Sequence, residues 1–452
     1  MAFEHAVVRL GDYVDACLGK MLDIQKNRGV LQPYLGNSNV RWGTFELQDL
    51  AVMRFEEHEQ ERYGIEDGDL IVCEGGEPGR CAIWRGDVPA MKIQKALHRV
   101  RVKEGLDSNF LYYWFLQAGR TGALEPFFTG TTIKHLTGKA LAELRIPLPP
   151  IRTQRGLARV LKSLDDKIGL NRRINQTLQA MAQAIFKSWF VDFAPVKAKI
   201  AAIQEGRDPL RAAMSAISGK SDAELDALPS EQFTPLAATA ELFPDEMEEM
   251  ELGEIPRGWM FKTVGDIAQF SSGKVDVSSL NENTYISTEN MLENRGGVTC
   301  ASSLPSVATV PSFSVGQILV SNIRPYFKKI WMAHFDGGRS PDVLAFVPVD
   351  PQWSEFLYNL MYQDSFFEFM TRTAKGAKMP RGDKDAIRGW TFPCPDEFLM
   401  SHFSEKFRPH YEHIHGLTSE NHSLIELRNT LLPKLLFGEL TAEALTEPTG
   451  AA

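Results

Sequence analysis

Thr131–Pro150 reads TTIKHLTGKALAELRIPLPP, and Ala377–Pro395 reads AKMPRGDKDAIRGWTFPCP. Each follows a glycine, Gly130 and Gly376, and the two stretches stay in register without a gap. Ile133 meets Met379, Ala140 meets Ala386, Leu141 meets Ile387 and Leu144 meets Trp390. Ile146 meets Phe392, Pro147 meets Pro393 and Pro149 meets Pro395. The echo continues outward. GDYVDACLGK (Gly11–Lys20) matches GDIAQFSSGK (Gly265–Lys274), and YLGNSNV (Tyr34–Val40) matches YISTENM (Tyr285–Met291). GDLIV (Gly68–Val72) matches GQILV (Gly316–Val320), and FLYYWFL (Phe110–Leu116) matches FLYNLMY (Phe356–Tyr362). The order is the same in both halves. A period this long means a duplicated domain, because solenoid units are far shorter.

Each copy reads as α/β. The short β-rich runs DLIVCEGG and QILVSNIRP end in turn formers. NFLYYWFLQAG and EFLYNLMYQD read as buried, aromatic-rich helices. RIPLPP and TFPCP read as edge strands closing each domain, since proline cannot donate to a central ladder. After each closing strand the pattern turns helical. Leu157, Val160, Leu164, Asn171, Ile174, Leu178, Met181 and Ile185 fit a and d positions of one heptad frame, with Lys167 a lapse. Ile414, Leu417, Asn421, Leu424, Leu431 and Leu435 fit a second frame, with Arg428 a lapse. Asn171 and Asn421 each hold an a position, where a buried amide lowers stability but fixes register. The pattern predicts two homologous α/β domains separated by a long antiparallel helix pair, a coiled-coil spacer. The expected layout is a first domain over 1–150, a helix over 151–193 and a linker over 194–254. A second domain follows over 255–395, then a helix over 396–440 and a tail over 441–452. The first frame, from Leu157 to Ile185, would be about 40 Å long at a helical rise of ~1.5 Å per residue.

The totals narrow the class. At 452 residues the chain exceeds one core, and its 43% hydrophobic and 24% charged content is ordinary for a globular protein. No apolar run suits a membrane span and the N-terminus lacks a signal-peptide pattern, so a cytoplasmic protein is expected. Cys17, Cys73, Cys81, Cys300 and Cys394 form no CxxC pair, which fits a reducing compartment and argues against zinc. The net charge of −9 conceals local structure. Acidic residues crowd Glu241–Glu254. Basic residues crowd two places, one after the first closing strand and one before the second. One holds Arg152, Arg155, Arg159, Lys162, Lys167, Arg172 and Arg173. The other holds Arg372, Lys375, Lys378, Arg381, Lys384 and Arg388.

Signatures of catalysis are missing from the sequence. SGKS (Ser218–Ser221) lacks the upstream glycine of a phosphate loop, and neither GxGxxG after a strand nor HExxH occurs. There is no NPPY-like stretch, and SPDVLAF (Ser340–Phe346) begins like a metal-nuclease motif without the Glu-x-Lys that should follow. The glycine-rich EGGEPGR (Glu74–Arg80) is replaced in the second copy by SNIRPYFKK (Ser321–Lys329). A catalytic loop would not diverge so between copies; a binding loop would.

Three stretches now resemble a known family. LPPIRTQRGLARVLKSLDDKIGLNRRINQTLQAMAQAIFKSWFVDF (Leu148–Phe193) resembles the first helical region of a type I restriction–modification specificity subunit. GEIPRGWMFKTVGDIAQFSSGK (Gly253–Lys274) resembles the entry to that family's second target recognition domain, and LRNTLLPKLLFGEL (Leu427–Leu440) its closing helix. The resemblance implies a bacterial or archaeal chain in phage defence, without catalytic residues, metal or cofactor of its own. Each domain would read half of a split, asymmetric site in double-stranded DNA. The implied partners are two adenine-N6 methyltransferase subunits using S-adenosylmethionine, and motor–nuclease subunits using ATP and magnesium. A protein-binding scaffold, or a subunit serving methylation alone, stands as the alternative.

Chemistry then selects candidate DNA contacts, since Arg and Lys suit guanine edges and Asn and Gln suit adenine. In the first copy these are Lys20, Arg28, Asn37, Asn39, Arg41, Arg80, Thr132, Lys134 and His135. In the second they are Lys274, Thr288, Asn290, Asn322, Arg324, Lys328, Lys378 and Arg381.

Overall fold

Two short antiparallel ladders carry the repeat into three dimensions in a computed structural model, which describes residues 6–23 and 27–441. Ala6–Arg9 pairs with Arg145–Leu148, placing Val8 opposite Ile146 and Val7 opposite Pro147. Met260–Thr263 pairs with Thr391–Cys394, placing Lys262 opposite Phe392 and Phe261 opposite Pro393. The echoed residues thus hold the same register, and both prolines lie in two-stranded ladders, where a missing N–H is tolerated. The chain divides into two units, Met1–Asn171 with Ser419–Ala452, and Arg172–Thr418.

In the first unit a four-stranded antiparallel sheet runs in the order Val14–Leu18, Leu97–Val102, Leu70–Cys73, Cys81–Ile83. Against it lies the aromatic helix Ser108–Thr121. Asp107 caps this helix by accepting from the N–H groups of Asn109 and Phe110, and Gly122 ends it at φ 72°. Phe110, Leu111, Tyr113, Phe115 and Leu116 are buried from this helix, in one cluster with Leu70, Val72, Val100 and Ile146. Burying such a side chain contributes about 1.5–3 kcal/mol, so this cluster dominates the unit's stability.

The second unit repeats the sheet order with Ala268–Phe270, Val343–Pro348, Ile318–Ser321 and Ile330–Met332. Its aromatic helix, Ser354–Met361, stops where the first copy continues, and a separate helix Asp364–Thr373 follows. The smaller sheets differ as well. Val52–Phe55, Val30–Leu35 and Lys92–Ile93 form three strands in the first unit. Lys274–Asp276, Thr309–Phe313, Gly337–Arg339 and Tyr285–Ile286 form four in the second.

The segment expected as a partly helical linker folds as four helices, Ala194–Gln204, Pro209–Ser218, Asp222–Asp226 and Ser230–Glu241. They enclose a small core of Ala213, Met214, Leu225 and Ala240. Val196 and Phe243 join the main core of the second unit beside Trp189 and Phe190.

The two long helices span Ile151–Phe190 and Glu397–Leu436, 40 residues each. Within each unit their segments run antiparallel, because rising numbers on one meet falling numbers on the other. In the first unit Asn171 Nδ2 donates to Asn421 Oδ1 at 3.0 Å and to Glu420 Oε2 at 2.7 Å. In the second, Asn175 Nδ2 donates to Thr418 Oγ1 at 3.1 Å. Burial corrects half of the first heptad frame by one residue. Leu157 and Asn171 are buried as expected, but their companions are Leu161, Ile168 and Ala182. Val160, Lys167, Ile174 and Met181 lie beside the seam, and Met181 is 47% exposed. Lys167 is therefore no lapse: Ile168 holds the seam position, and Asn171 takes a d rather than an a position.

Arg428, the other apparent lapse, is an interlock. It donates to Asp165 Oδ1 at 2.7 Å, while the Tyr113 hydroxyl donates to Asp165 Oδ2 at 2.8 Å. Burial and the adjacent Asp165 charge push the Tyr113 phenol up, so it remains a donor. Asn359 takes the matching place in the second unit's aromatic helix. Its Oδ1 accepts from Gln183 Nε2 at 2.6 Å and from the Tyr411 hydroxyl at 3.0 Å. Each aromatic helix is thereby pinned to both long helices by one polar junction, built from different residues.

Candidate nucleic-acid interface

In the first unit three loops converge. The glycine-rich loop 74–80 joins two antiparallel sheet strands, with Gly76 at φ 74° and Gly79 at φ 94°. The φ of Gly79 is one that residues with a β-carbon rarely adopt, so glycine is favoured there. The Glu74 carbonyl accepts from Leu136 N at 2.7 Å, tying this loop to loop 129–135. Asn37 Nδ2 donates to the Gly75 carbonyl at 3.1 Å, and Arg80 returns a bond to the Asn37 carbonyl at 3.1 Å. Loop 36–46 is thus held against the other two. Trp42 Nε1 adds a bond to Glu77 Oε1 at 2.6 Å.

The second unit brings the matching loops together. Arg324 N donates to the Pro380 carbonyl at 2.8 Å and Gly382 N to the Asn322 carbonyl at 3.0 Å, joining loop 321–329 to loop 375–381. Lys329 Nζ donates to the Thr288 carbonyl at 2.7 Å, and Arg295 N to the Lys328 carbonyl at 2.9 Å. Arg324 and Lys328 both adopt φ 50°, a conformation rare for residues with a β-carbon. Backbone strain of this kind gathers at binding sites. Hydrogen bonds from Lys328 and Arg295 hold the Asp364 carboxylate below its usual range. Asp364 thus stays charged and anchors the strained loop to the start of the additional helix. Arg295, which the sequence reading missed, lies 4.8 Å from the Tyr362 ring centroid. Its signal was weak: a lone arginine in loop 287–300, with no other basic residue beside it.

The predicted residues fall into three groups. The first braces the fold. Lys20 is buried, with Nζ 2.5 Å from Glu59 Oε2 and 2.9 Å from the Arg54 carbonyl. Asn39 Oδ1 accepts from Gly36 N at 2.9 Å and its Nδ2 donates to the Glu46 carbonyl at 3.0 Å. Asn290 makes the same pair of bonds, from Ser287 N at 2.6 Å and to the Thr299 carbonyl at 2.8 Å. Arg80 ties its loop to the Asn37 carbonyl as Lys329 ties its own to the Thr288 carbonyl. Arg41 is bound by Glu46 at 2.9 Å.

A second group lies within the convergent loops with polar capacity left. Asn37 Oδ1, Asn322 Oδ1 and Arg324 Nε are buried atoms without a hydrogen-bond partner among the described residues. Thr132, Lys134, Lys378 and Arg381 are exposed on the tips, with His135 and Thr288 half-buried beside them. Arg381 lies 3.2 Å from Asp342. The third group stands apart. Arg28 is exposed in the turn before Val30–Leu35, and Lys274 is exposed on a strand opposite Pro311. The basic clusters on the first long helix and around 372–388 are solvent-facing throughout.

Comparison with known proteins decides the family. A family model described as Type I restriction modification DNA specificity domain matches residues 5–180. The type I restriction enzyme HindI specificity subunit of Haemophilus influenzae is 31% identical over 334 residues, 68% of this chain and 72% of that protein. The chain belongs to the type I restriction enzyme specificity subunits. Another specificity subunit, MjaIX of Methanocaldococcus jannaschii, is 25% identical over 399 residues, covering 84% of this chain and 79% of the relative. The crystal structure of a type I restriction–modification S subunit from M. genitalium shares the fold, with a TM-score of 0.50 at 16% identity and 96% of each chain covered. No helix among the described residues is long and apolar enough to cross a membrane.

Proposed function

We propose that this specificity subunit reads a split, asymmetric site in double-stranded DNA, one half-site per unit. One observation carries the reading. Both units place the same three loops side by side on the same sheet order, while the loops differ in sequence and chemistry, EGGEPGR against SNIRPYFKK. A common scaffold with unlike loops suits two readers of two unlike sequences. Half-buried Asn37 and Arg324 and exposed Thr132, in the convergent loops, are side chains of the kind that hydrogen-bond to base edges. Exposed cations at Lys134, Lys378 and Arg381 suit the phosphate backbone, whose contacts position rather than specify.

The chain does no chemistry in this reading. It directs two adenine-N6 methyltransferase subunits and the motor–nuclease subunits. S-adenosylmethionine, ATP and magnesium belong to those partners, and the assembly works in the cytoplasm. The test exchanges residues 1–150 for the same segment of a specificity subunit with a different target. Host methylomes are then sequenced with each gene. One half-site should change and the other persist. Methylation unchanged in both half-sites, or changed in both by an active complex, refutes the assignment of one half-site per unit. Methyl transfer by the purified chain alone would overturn the non-catalytic role.

A further inference from the structure

Loops 129–135 and 375–381 share a construction that the DNA-reading role above leaves unexplained. Each is closed by a pair of backbone bonds. Thr129 and His135 exchange both at 2.8 Å, and Lys375 and Arg381 exchange theirs at 2.8 and 2.9 Å. Behind each tip stands the glycine with which the repeat begins, Gly130 at φ 94° and Gly376 at φ 99°. A β-carbon on Gly130 would lie 2.3 Å from the Ile133 carbonyl oxygen, so the turn tightens until residues 131–134 project outward. At the same place on each tip sits one large apolar side chain, Ile133 at 64% exposure and Met379 at 50%. Neither joins any of the hydrophobic clusters among the described residues.

A single exposed apolar residue is ordinary and needs no explanation. Two at matching positions of diverged copies, each the one large apolar side chain of its tip, need one. Their surroundings name the occupant. Lys134 follows Ile133, and Lys378 and Arg381 flank Met379, all exposed. An apolar tip inside a cationic rim suits a surface of high negative charge that opens onto apolar ground. A DNA groove is such a surface, with phosphates at its lips and base edges, thymine methyl groups among them, at its floor.

We propose that Ile133 and Met379 enter a groove of the duplex and pack against base edges, each within the half-site read by its own unit. The proposal rests on the DNA-reading role and adds the residues that specify by shape. Ile133→Ala and Met379→Ala are compared with wild type in the full complex. The probe is a set of duplexes carrying the host's methylated site, with each base pair replaced in turn. Ile133→Ala should weaken cognate binding roughly tenfold, as expected for about 1.4 kcal/mol of lost apolar contact. Discrimination should relax at one or two adjacent pairs of one half-site and nowhere else, with the salt dependence unchanged. Met379→Ala should do the same in the other half-site, and Ile133→Leu should keep most of the affinity. Melting midpoints should not move, since both side chains are exposed. An Ile133→Ala complex with wild-type affinity and discrimination at every pair overturns the proposal. So does a uniform loss across all duplexes with a shallower salt slope, which marks a phosphate contact. A wild-type complex that fails to prefer its own methylated site would instead sink the DNA-reading role itself.

Discussion

Asp165 stands where three elements of the first unit meet, and its removal gives a prediction of definite sign. The Tyr113 hydroxyl and the Arg428 guanidinium both donate to its carboxylate, at 2.8 and 2.7 Å. Tyr113 is buried, and the side chains of Arg428 and Asp165 are only 17% and 24% exposed. Hydrogen bonds to a charged group contribute about 1.5–3 kcal/mol each, and partial exposure discounts the pair. Asp165→Leu is therefore expected to cost the first unit about 2–4 kcal/mol, most of it from two donors left without an acceptor. At about 2–4 °C per kcal/mol for a unit of this size, its melting transition should fall by roughly 5–15 °C. The triple variant Tyr113→Phe/Asp165→Leu/Arg428→Met leaves no orphaned donor and should regain more than half of that loss. Calorimetry of the full chain reads both, with Tyr411→Phe identifying the transition of the second unit, which should not shift in the triple variant. A triple variant as unstable as Asp165→Leu would refute the reasoning, since the loss would then come from packing. So would a single-variant loss below about 0.5 kcal/mol, the worth of an exposed ion pair.

Three further outcomes follow from the geometry. Gly130→Val meets both the positive φ and the Ile133 carbonyl, so binding at one half-site should fall at least tenfold while methylation studies of the other half-site remain normal. Asn171→Ala should lower the first unit's stability by about 2 kcal/mol, because Asn421 and Glu420 lose their donor at a fully buried position; Asn171→Leu/Asn421→Leu should recover it in a urea titration. Burial, with a smaller effect from the stacked His334, holds His415 at about 4, below its ordinary 6.5. The folded second unit therefore binds fewer protons than the unfolded chain. Its stability is full above about 6.5 and declines as pH falls toward 4, and His415→Phe should flatten that decline in melting curves from pH 7.5 to 4.5.

The duplicated ladders were legible because proline and alternation restrict an edge strand to few arrangements, and two copies restrict it further. The heptad frame was half legible, and the reason is local. Val160 stands beside Leu161 and Met181 beside Ala182, so both frames carry apolar residues at several steps. The aromatic helix and the second long helix, clustered with Leu157 and Leu161, select the face, and those contacts are not local in sequence. The junction of Tyr113, Asp165 and Arg428 was hidden for the same reason. Each residue alone reads as an ordinary buried tyrosine, a surface acid and a lapse in a heptad. The linker's small core was missed because its alanine-rich helices are too short for periodicity to show.

Within the loops the repeat misled in an instructive way. Residues shared by the two copies invited a shared functional reading, yet Asn39 and Asn290 use both ends of their amides to hold the same turn. Arg80 and Lys329 share a place and a task without sharing an identity, each tying its loop to a carbonyl of the first loop. Duplication followed by divergence should produce this division. A side chain that builds the scaffold must keep its partner in both copies, whereas a side chain that reads a base must change when the base does. Within the convergent loops, buried atoms without a partner among the described residues lie where the copies disagree: Asn37 stands where the second copy has Thr288, and Asn322 and Arg324 stand in a loop with no echo in the first. Differences between the copies, more than their agreements, are where specificity is to be sought.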